Sequence, residues 1–193
     1  MPAQREGAVQ IEVPEGWRLR RVDGPDHCAT QAFKAVDFVV IPPDGDAWLA
    51  VEIKGGELPC NPHFQRQQYL AQLQSAPFLT HLVAKFRDTW LYLWLEDATR
   101  AARARDYLVL LVLPTDLRPL DQPLLLALTD HLRQRLPEGV PSRCGRRWQQ
   151  ALVRWVLVTT PEIWQESLGR ARAKQQRHPW AEVKIALSPC SDA

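Results

Sequence analysis

The sequence predicts an α/β (α+β) fold, a mixed central sheet with one prominent β-hairpin flanked by helices. Three observations carry this. Two β-rich runs enclose a Pro/Asp/Gly turn signal, helical periodicity follows them, and strand and helix signals alternate from there to the end. At 193 residues the chain suits a single domain spanning residues 1–193.

The first stretch, to about Gln10, is polar and weakly patterned, and Trp17–Val22 then alternates as a strand before the Asp23-Gly-Pro-Asp26 turn cluster. The hairpin comes next. Ala35–Ile41 and Ala47–Lys54 are rich in β-branched and aromatic residues, and Pro42-Pro-Asp-Gly-Asp46 between them supplies turn formers. From about Pro62 the pattern is helical to Ser75. Pro77 interrupts it, and Phe78, Leu79, Leu82, Phe86, Trp90 and Leu93 then recur at three- or four-residue steps, so two consecutive helices are expected.

Tyr107–Leu113 is a continuous apolar run that suits a strand buried on both faces. Pro123 opens a helix whose leucines share a face, and Pro137-Glu-Gly139 stops it. Strands at Val153–Thr159 and Ala181–Leu187 flank a helix from Pro161 to about Lys174.

Composition narrows the function classes. Apolar residues make up 46% and charged residues 24%, both near the globular average. A net charge of +2 makes any nucleic-acid-binding surface a local one. No apolar run is long enough to span a membrane, and Met1–Val13 lacks the layout of a secretory signal, so no membrane partner and a cytoplasmic location are expected.

The four cysteines, Cys28, Cys60, Cys144 and Cys190, are unpaired in spacing and read as reduced thiols. His27-Cys28 with Cys60 and His63 make a poor zinc set, because adjacent residues seldom both ligate. Phosphate loops, serine-nucleophile motifs and His-Glu-x-x-His zinc motifs are absent from the sequence.

Chemistry concentrates on the hairpin. With Asp44-Gly45 as a two-residue loop, Pro43 faces Asp46 and, carried along the strands, Asp37 faces Glu52. Directly opposed residues have Cβ atoms about 4.5–5.5 Å apart, so two facing carboxylates need a cation to compensate them. Lys54 projects on the same face as Glu52, and Val36, Phe38, Val40, Val51 and Ile53 project on the other. The polar face is expected to be solvent-accessible. Carboxylate oxygens suit Mg²⁺ or Mn²⁺, and a neighbouring ammonium suits a phosphate under attack. Gln65 and Tyr69, four apart on the following helix, are expected to face this group.

Asp37, then Glu52-Ile-Lys54, then Gln65-x-x-x-Tyr69 resembles, in order and placement, the PD-(D/E)XK nuclease superfamily and its RecB- and Cas4-like branch. The resemblance covers about Trp17–Tyr69. It implies a restriction-endonuclease-like core and a Mg²⁺- or Mn²⁺-dependent deoxyribonuclease, with RNA as the alternative substrate. Asp37 and Glu52 would be metal ligands, Lys54 the catalytic lysine, and Gln65 and Tyr69 supporting residues.

The family's Glu or His on a leading helix has no clean counterpart. Glu12, Glu15 and His27 are the candidates, but Glu12 and Glu15 precede the first strand and His27 follows it. The cysteines do not match the iron–sulfur arrangement of Cas4-like members.

Arg100, Arg103 and Arg105, and Arg143, Arg146 and Arg147 beside Trp148, are candidate phosphate-binding patches. Of the eight tryptophans, Trp17, Trp148, Trp164 and Trp180 are candidate surface platforms, the rest core. Specificity would come from loops or a partner protein. The alternative function is a catalytically silent nuclease-like fold serving as a nucleic-acid-binding or protein-interaction module.

Overall fold

A computed structural model describes residues 1–24, 33–56, 66–96, 104–113, 121–136, 153–173 and 180–188. The chain runs β1 (Ala3–Glu6), β2 (Val9–Glu12), β3 (Arg18–Arg21), β4 (Phe38–Ile41), β5 (Ala47–Lys54), α1 (Arg66–Leu73), α2 (Ala76–Glu96), β6 (Ala104–Leu111), α3 (Asp121–Arg135), β7 (Trp155–Thr159), α4 (Pro161–Ala173) and β8 (Lys184–Leu187).

A five-stranded mixed sheet in the order β3-β4-β5-β6-β7 forms the centre. β3, β4 and β5 make an antiparallel meander. β6 then lies parallel to β5 along its whole length, from Ala47 opposite Ala104 to Lys54 opposite Leu111, and β7 lies parallel to β6. Parallel neighbours need a crossover, and the α1–α2 segment provides it.

Within the hairpin, Phe38 pairs with Val51, Val39 with Ala50 and Val40 with Leu49, the expected register, and Asp37 lies one residue before the paired segment, its Oδ2 accepting from Ile53 N–H. The turn differs from the expected one. Gly45 N–H donates to the Pro42 carbonyl at 3.0 Å, so Pro43 and Asp44 form the corner. Gly45 follows in the left-handed region at φ 68°. Asp44 Oδ1 accepts from the Asp46 N–H at 3.3 Å.

Both faces of the main sheet are covered. Val39, Trp48, Ala50, Tyr107 and Val109 pack against α2 and α3, where Phe78, Leu82, Phe86, Leu128 and Leu132 are buried. Phe86 binds the helix to the sheet, with ring centroids 4.8 Å from Tyr107 and 5.8 Å from Trp48. Phe38, Val40, Leu49, Val51, Leu108 and Leu110 face the other way, against Val9, Ile11, Ile185, Trp164 and Leu168. Val36, expected on that second face, instead joins the α2 side. β4 begins only at Phe38, so strand alternation does not extend back to Val36.

The second layer contains a separate sheet, β1-β2-β8, antiparallel throughout. The expected strand at Ala181–Leu187 is thus shorter, Lys184–Leu187, and belongs to this small sheet and not to the main one. Its β1–β2 turn sits on the end of the hairpin. Gly7 adopts φ 55°, a Cβ there would lie 2.4 Å from the Gly56 carbonyl carbon, and Ala8 N–H donates to Gly56 O at 2.8 Å. Only glycine permits this approach.

Trp164 and Trp180, expected as surface platforms, are core residues. Trp180 donates its indole N–H to buried Asp106 at 2.6 Å and stacks edge-on with Trp17 at 5.9 Å. Trp94 on α2, expected in the core, is 45% exposed. Arg105 is also buried, its guanidinium 5.5 Å from the Trp90 ring centroid, and forms no surface patch. Arg100, Arg103, Arg143, Arg146, Arg147 and Trp148 lie outside the described residues, as do all four cysteines.

Candidate active site

Asp37 occupies the bend before β4, and Glu52 and Lys54 lie near the end of β5. The structure brings the three together at one end of the hairpin, away from its turn. Asp37 is 5% exposed and Glu52 fully buried, so the polar face is not the open one expected. α2 covers it. Trp48 and Ala50 share that face with Glu52 and are themselves packed under the helix.

The segment leading to Asp37 is pinned to α2. Lys34 N–H donates to Asp88 Oδ2 at 3.2 Å and Val36 N–H to Thr89 Oγ1 at 2.9 Å. Asp37 Oδ2 accepts from Ile53 N–H at 2.5 Å, tying the carboxylate across to β5 between Glu52 and Lys54. Asp37 O accepts from Val22 N–H at 2.9 Å, fixing the end of β3.

A fourth residue completes the cluster. Lys85, from the middle of α2, places its Nζ 2.8 Å from Glu52 Oε1, 3.0 Å from Glu52 Oε2 and 3.4 Å from Asp37 Oδ1. Lys54 Nζ lies 2.5 Å from Glu52 Oε1. Two carboxylates thus share two ammoniums in a site largely shut off from water. Burial works against the charge on Lys85, but Glu52 and then Asp37 outweigh it and hold its pKa above the ordinary value.

Asp37 is pushed up to about 7, first by burial and then by the charge on Glu52, against the opposing pull of Lys85 and the Ile53 N–H. Asp23, at the end of the β3 segment, adds to the rise. The folded protein therefore keeps a proton that the unfolded chain, with the ordinary value of 3.8, has already released. Stability from this group falls as pH climbs from about 4 to about 7. Urea unfolding across that range is expected to show the decline in wild-type protein and a flatter curve in Asp37→Asn. Identical pH dependence in the two proteins would remove Asp37 as its source.

At the mouth, His81 precedes Lys85 by one helical turn, and its Nδ1 lies 3.5 Å from Lys34 Nζ. Burial, then the charges of Lys54, Lys34 and Lys85, lower its pKa, so His81 is neutral at physiological pH beside three cationic side chains.

The Tyr69 side chain lies at the end of the hairpin. Its hydroxyl makes long contacts to backbone carbonyls, 3.4 Å to Lys54 O and 3.5 Å to Val112 O, at the parallel β5–β6 edge. Its role here is to fix the strand end that carries Lys54. Gln65 and His27 lie outside the described residues. Glu12 is on β2 in the small sheet, across the main sheet from α2, and Glu15 is an exposed turn residue, so the structure brings neither to the site.

Lys85, His81, Lys34 and Asp23 are the members that sequence reasoning missed. A signal for Lys85 was present: Phe78, Leu82, Lys85 and Thr89 follow the four-three-four spacing of one helix stripe, and the other three are buried.

The donors suit a small hard cation. Glu52 Oε1 is buried at the centre of the site and is shared by both ammoniums, Lys54 Nζ at 2.5 Å and Lys85 Nζ at 2.8 Å. No third His, Cys, Asp or Glu among the described residues completes a ligand set with the pair. Two carboxylates nonetheless match the habit of Mg²⁺, which keeps several waters.

Comparison with protein-family models, curated proteins and solved structures finds no match. Among the described residues no helix is long and apolar enough to cross a membrane.

Proposed function

We propose that the chain is a metal-dependent nuclease of PD-(D/E)XK type, hydrolysing phosphodiester bonds in DNA with Mg²⁺ or Mn²⁺. The observation that carries this reading is the convergence of Asp37, Glu52 and Lys54 at one end of the hairpin as a buried carboxylate pair with an ammonium against it. The antiparallel meander followed by a helical crossover to a parallel strand supports a restriction-endonuclease-like core.

In this reading Asp37 and Glu52 hold the ion. When bound, the metal lowers the pKa of its water and offsets the charge developing at the phosphate. Lys54, tied to Glu52 but a quarter exposed, turns its ammonium towards the scissile phosphate. Lys34 adds positive potential at the mouth of a molecule whose net charge is only +2. Neutral His81 is suited to accept a proton there.

Incubating the purified chain with plasmid and with oligonucleotides, under Mg²⁺ and under Mn²⁺, tests the reading, with metal binding followed by calorimetry. Metal-dependent cleavage is the expected result. A chain that binds nucleic acid but cuts none with either metal would favour the second reading, a catalytically silent nuclease-like module. The observation on that side is Lys85, whose ammonium already lies between the two carboxylates.

A further inference from the structure

Lys85 Nζ contacts both oxygens of Glu52, at 2.8 and 3.0 Å, and Oδ1 of Asp37 at 3.4 Å. It therefore stands between the two carboxylates and not beside them. We propose that Lys85 is a displaceable internal counter-ion: it holds the carboxylate pair in the metal-free protein and must withdraw to the mouth for the pair to accept a divalent cation. This rests on the metal-site reading above and adds a control to the same site.

Space supports the exchange first. A Mg²⁺ ion requires oxygen ligands at about 2.0–2.1 Å, within the region that the Lys85 ammonium now fills against Glu52 Oε1 and Asp37 Oδ1.

Charge supports it next. Asp37 and Glu52, when ionised, are balanced by Lys54 and Lys85, so a divalent ion added without loss would leave a large positive excess in a buried site. Withdrawal of one ammonium reduces that excess.

The path is the third support. Lys85 is still 13% exposed, its four-carbon stem is flexible, and one turn back along α2 lies the mouth at His81 and Lys34. There the displaced ammonium joins Lys34 and Lys54, where an anionic phosphate would meet it. The groups facing Lys85 are thus Asp37 and Asp23 from the β3–β4 side, Glu52 from β5, and Lys54 and His81 at the mouth.

Calorimetric titration with Mn²⁺ in the absence of DNA tests the proposal on wild type, Lys85→Met and Glu52→Gln. If the internal ammonium leaves the pair open in only about a tenth of molecules, Lys85→Met binds Mn²⁺ about tenfold tighter than wild type. The variant should also melt lower without metal and gain more from Mn²⁺ than wild type gains. Unchanged or weaker binding by Lys85→Met, with wild type still binding and cutting, overturns the counter-ion while leaving the nuclease reading in place. Absence of binding by both proteins overturns both.

Should Lys85→Met fail to fold, lysine side-chain NMR of wild type with Mg²⁺ tests the same exchange. The Lys85 Nζ resonance, assigned through Lys85→Arg, is expected to shift on metal binding, and a resonance that stays still while metal binds overturns the proposal.

Discussion

A Glu52→Gln variant is expected to lose divalent-metal affinity and DNA cleavage together, each by more than about 100-fold. Partners outside the coordination shell of a metal typically cost 10–100-fold, and Glu52 would be a ligand itself. Glutamine keeps the shape and one oxygen but removes the charge that draws both Lys54 and Lys85 into the site. Removing one partner of a buried ion pair costs about 3–5 kcal/mol. Part of that cost is offset here, because Asp37 is relieved of a like charge and still contacts Lys85. The thermal midpoint should therefore fall by several degrees with the fold retained. Calorimetry with Mn²⁺, a cleavage assay and a melting curve on one preparation separate these effects. Wild-type metal affinity in Glu52→Gln would sink the assignment of the site.

Lys54→Ala is expected to separate chemistry from metal affinity. Cleavage should fall about 10²–10³-fold, the usual cost of one preorganised group that stabilises transition-state charge. Metal binding should be nearly unchanged, because Asp37 and Glu52 remain in place and Lys85 still neutralises them in the metal-free protein. The loss of stability should be about 1–2 kcal/mol, that of one hydrogen bond to a charged partner, since the Lys54 side chain is partly solvated. Single-turnover cleavage beside Mn²⁺ titration is the measurement. Equal cleavage by wild type and variant would take Lys54 out of the mechanism, and parallel loss of metal binding would make its role structural.

The hairpin was legible because two independent local signals agreed. Alternation fixed which side chains share a face, and the turn residues fixed the register, so Asp37 was placed opposite Glu52 although the corner itself lies one residue earlier than expected. The helices were legible for the same reason, their apolar spacing being strong and their stops marked by proline or by Ser75, whose Oγ accepts from the Phe78 N–H at the start of α2.

What stayed hidden depends on distant partners. Ala3-Gln-Arg-Glu6 carries no apolar alternation, and β8 pairs with β2, a choice no local pattern encodes. The burial of the polar face was recoverable in part, since Trp48 and Ala50 alternate with Glu52 and argue for a covered surface. Lys85 was the hardest to read. A lysine on a helix is ordinarily solvated, and only the carboxylates beneath this one turn it inward.

The small sheet gives the molecule an unusual order of assembly. Its central strand joins partners from nearly opposite ends of the sequence, Val9 against Leu187 and Glu12 against Lys184, whereas β4 and β5 are joined by a short turn. Closing such a long loop costs chain entropy before any contact rewards it, which makes distant pairings slow. The hairpin that carries the candidate site is therefore set to form early as a local unit. Its far end is clamped where Gly7 and Ala8 of the β1–β2 turn meet Gly56, a support it gains only when the small sheet docks. A folding intermediate with the small sheet undocked would hold Asp37 and Glu52 in register while lacking the clamp behind Lys54, so competence for chemistry would lag behind the appearance of secondary structure.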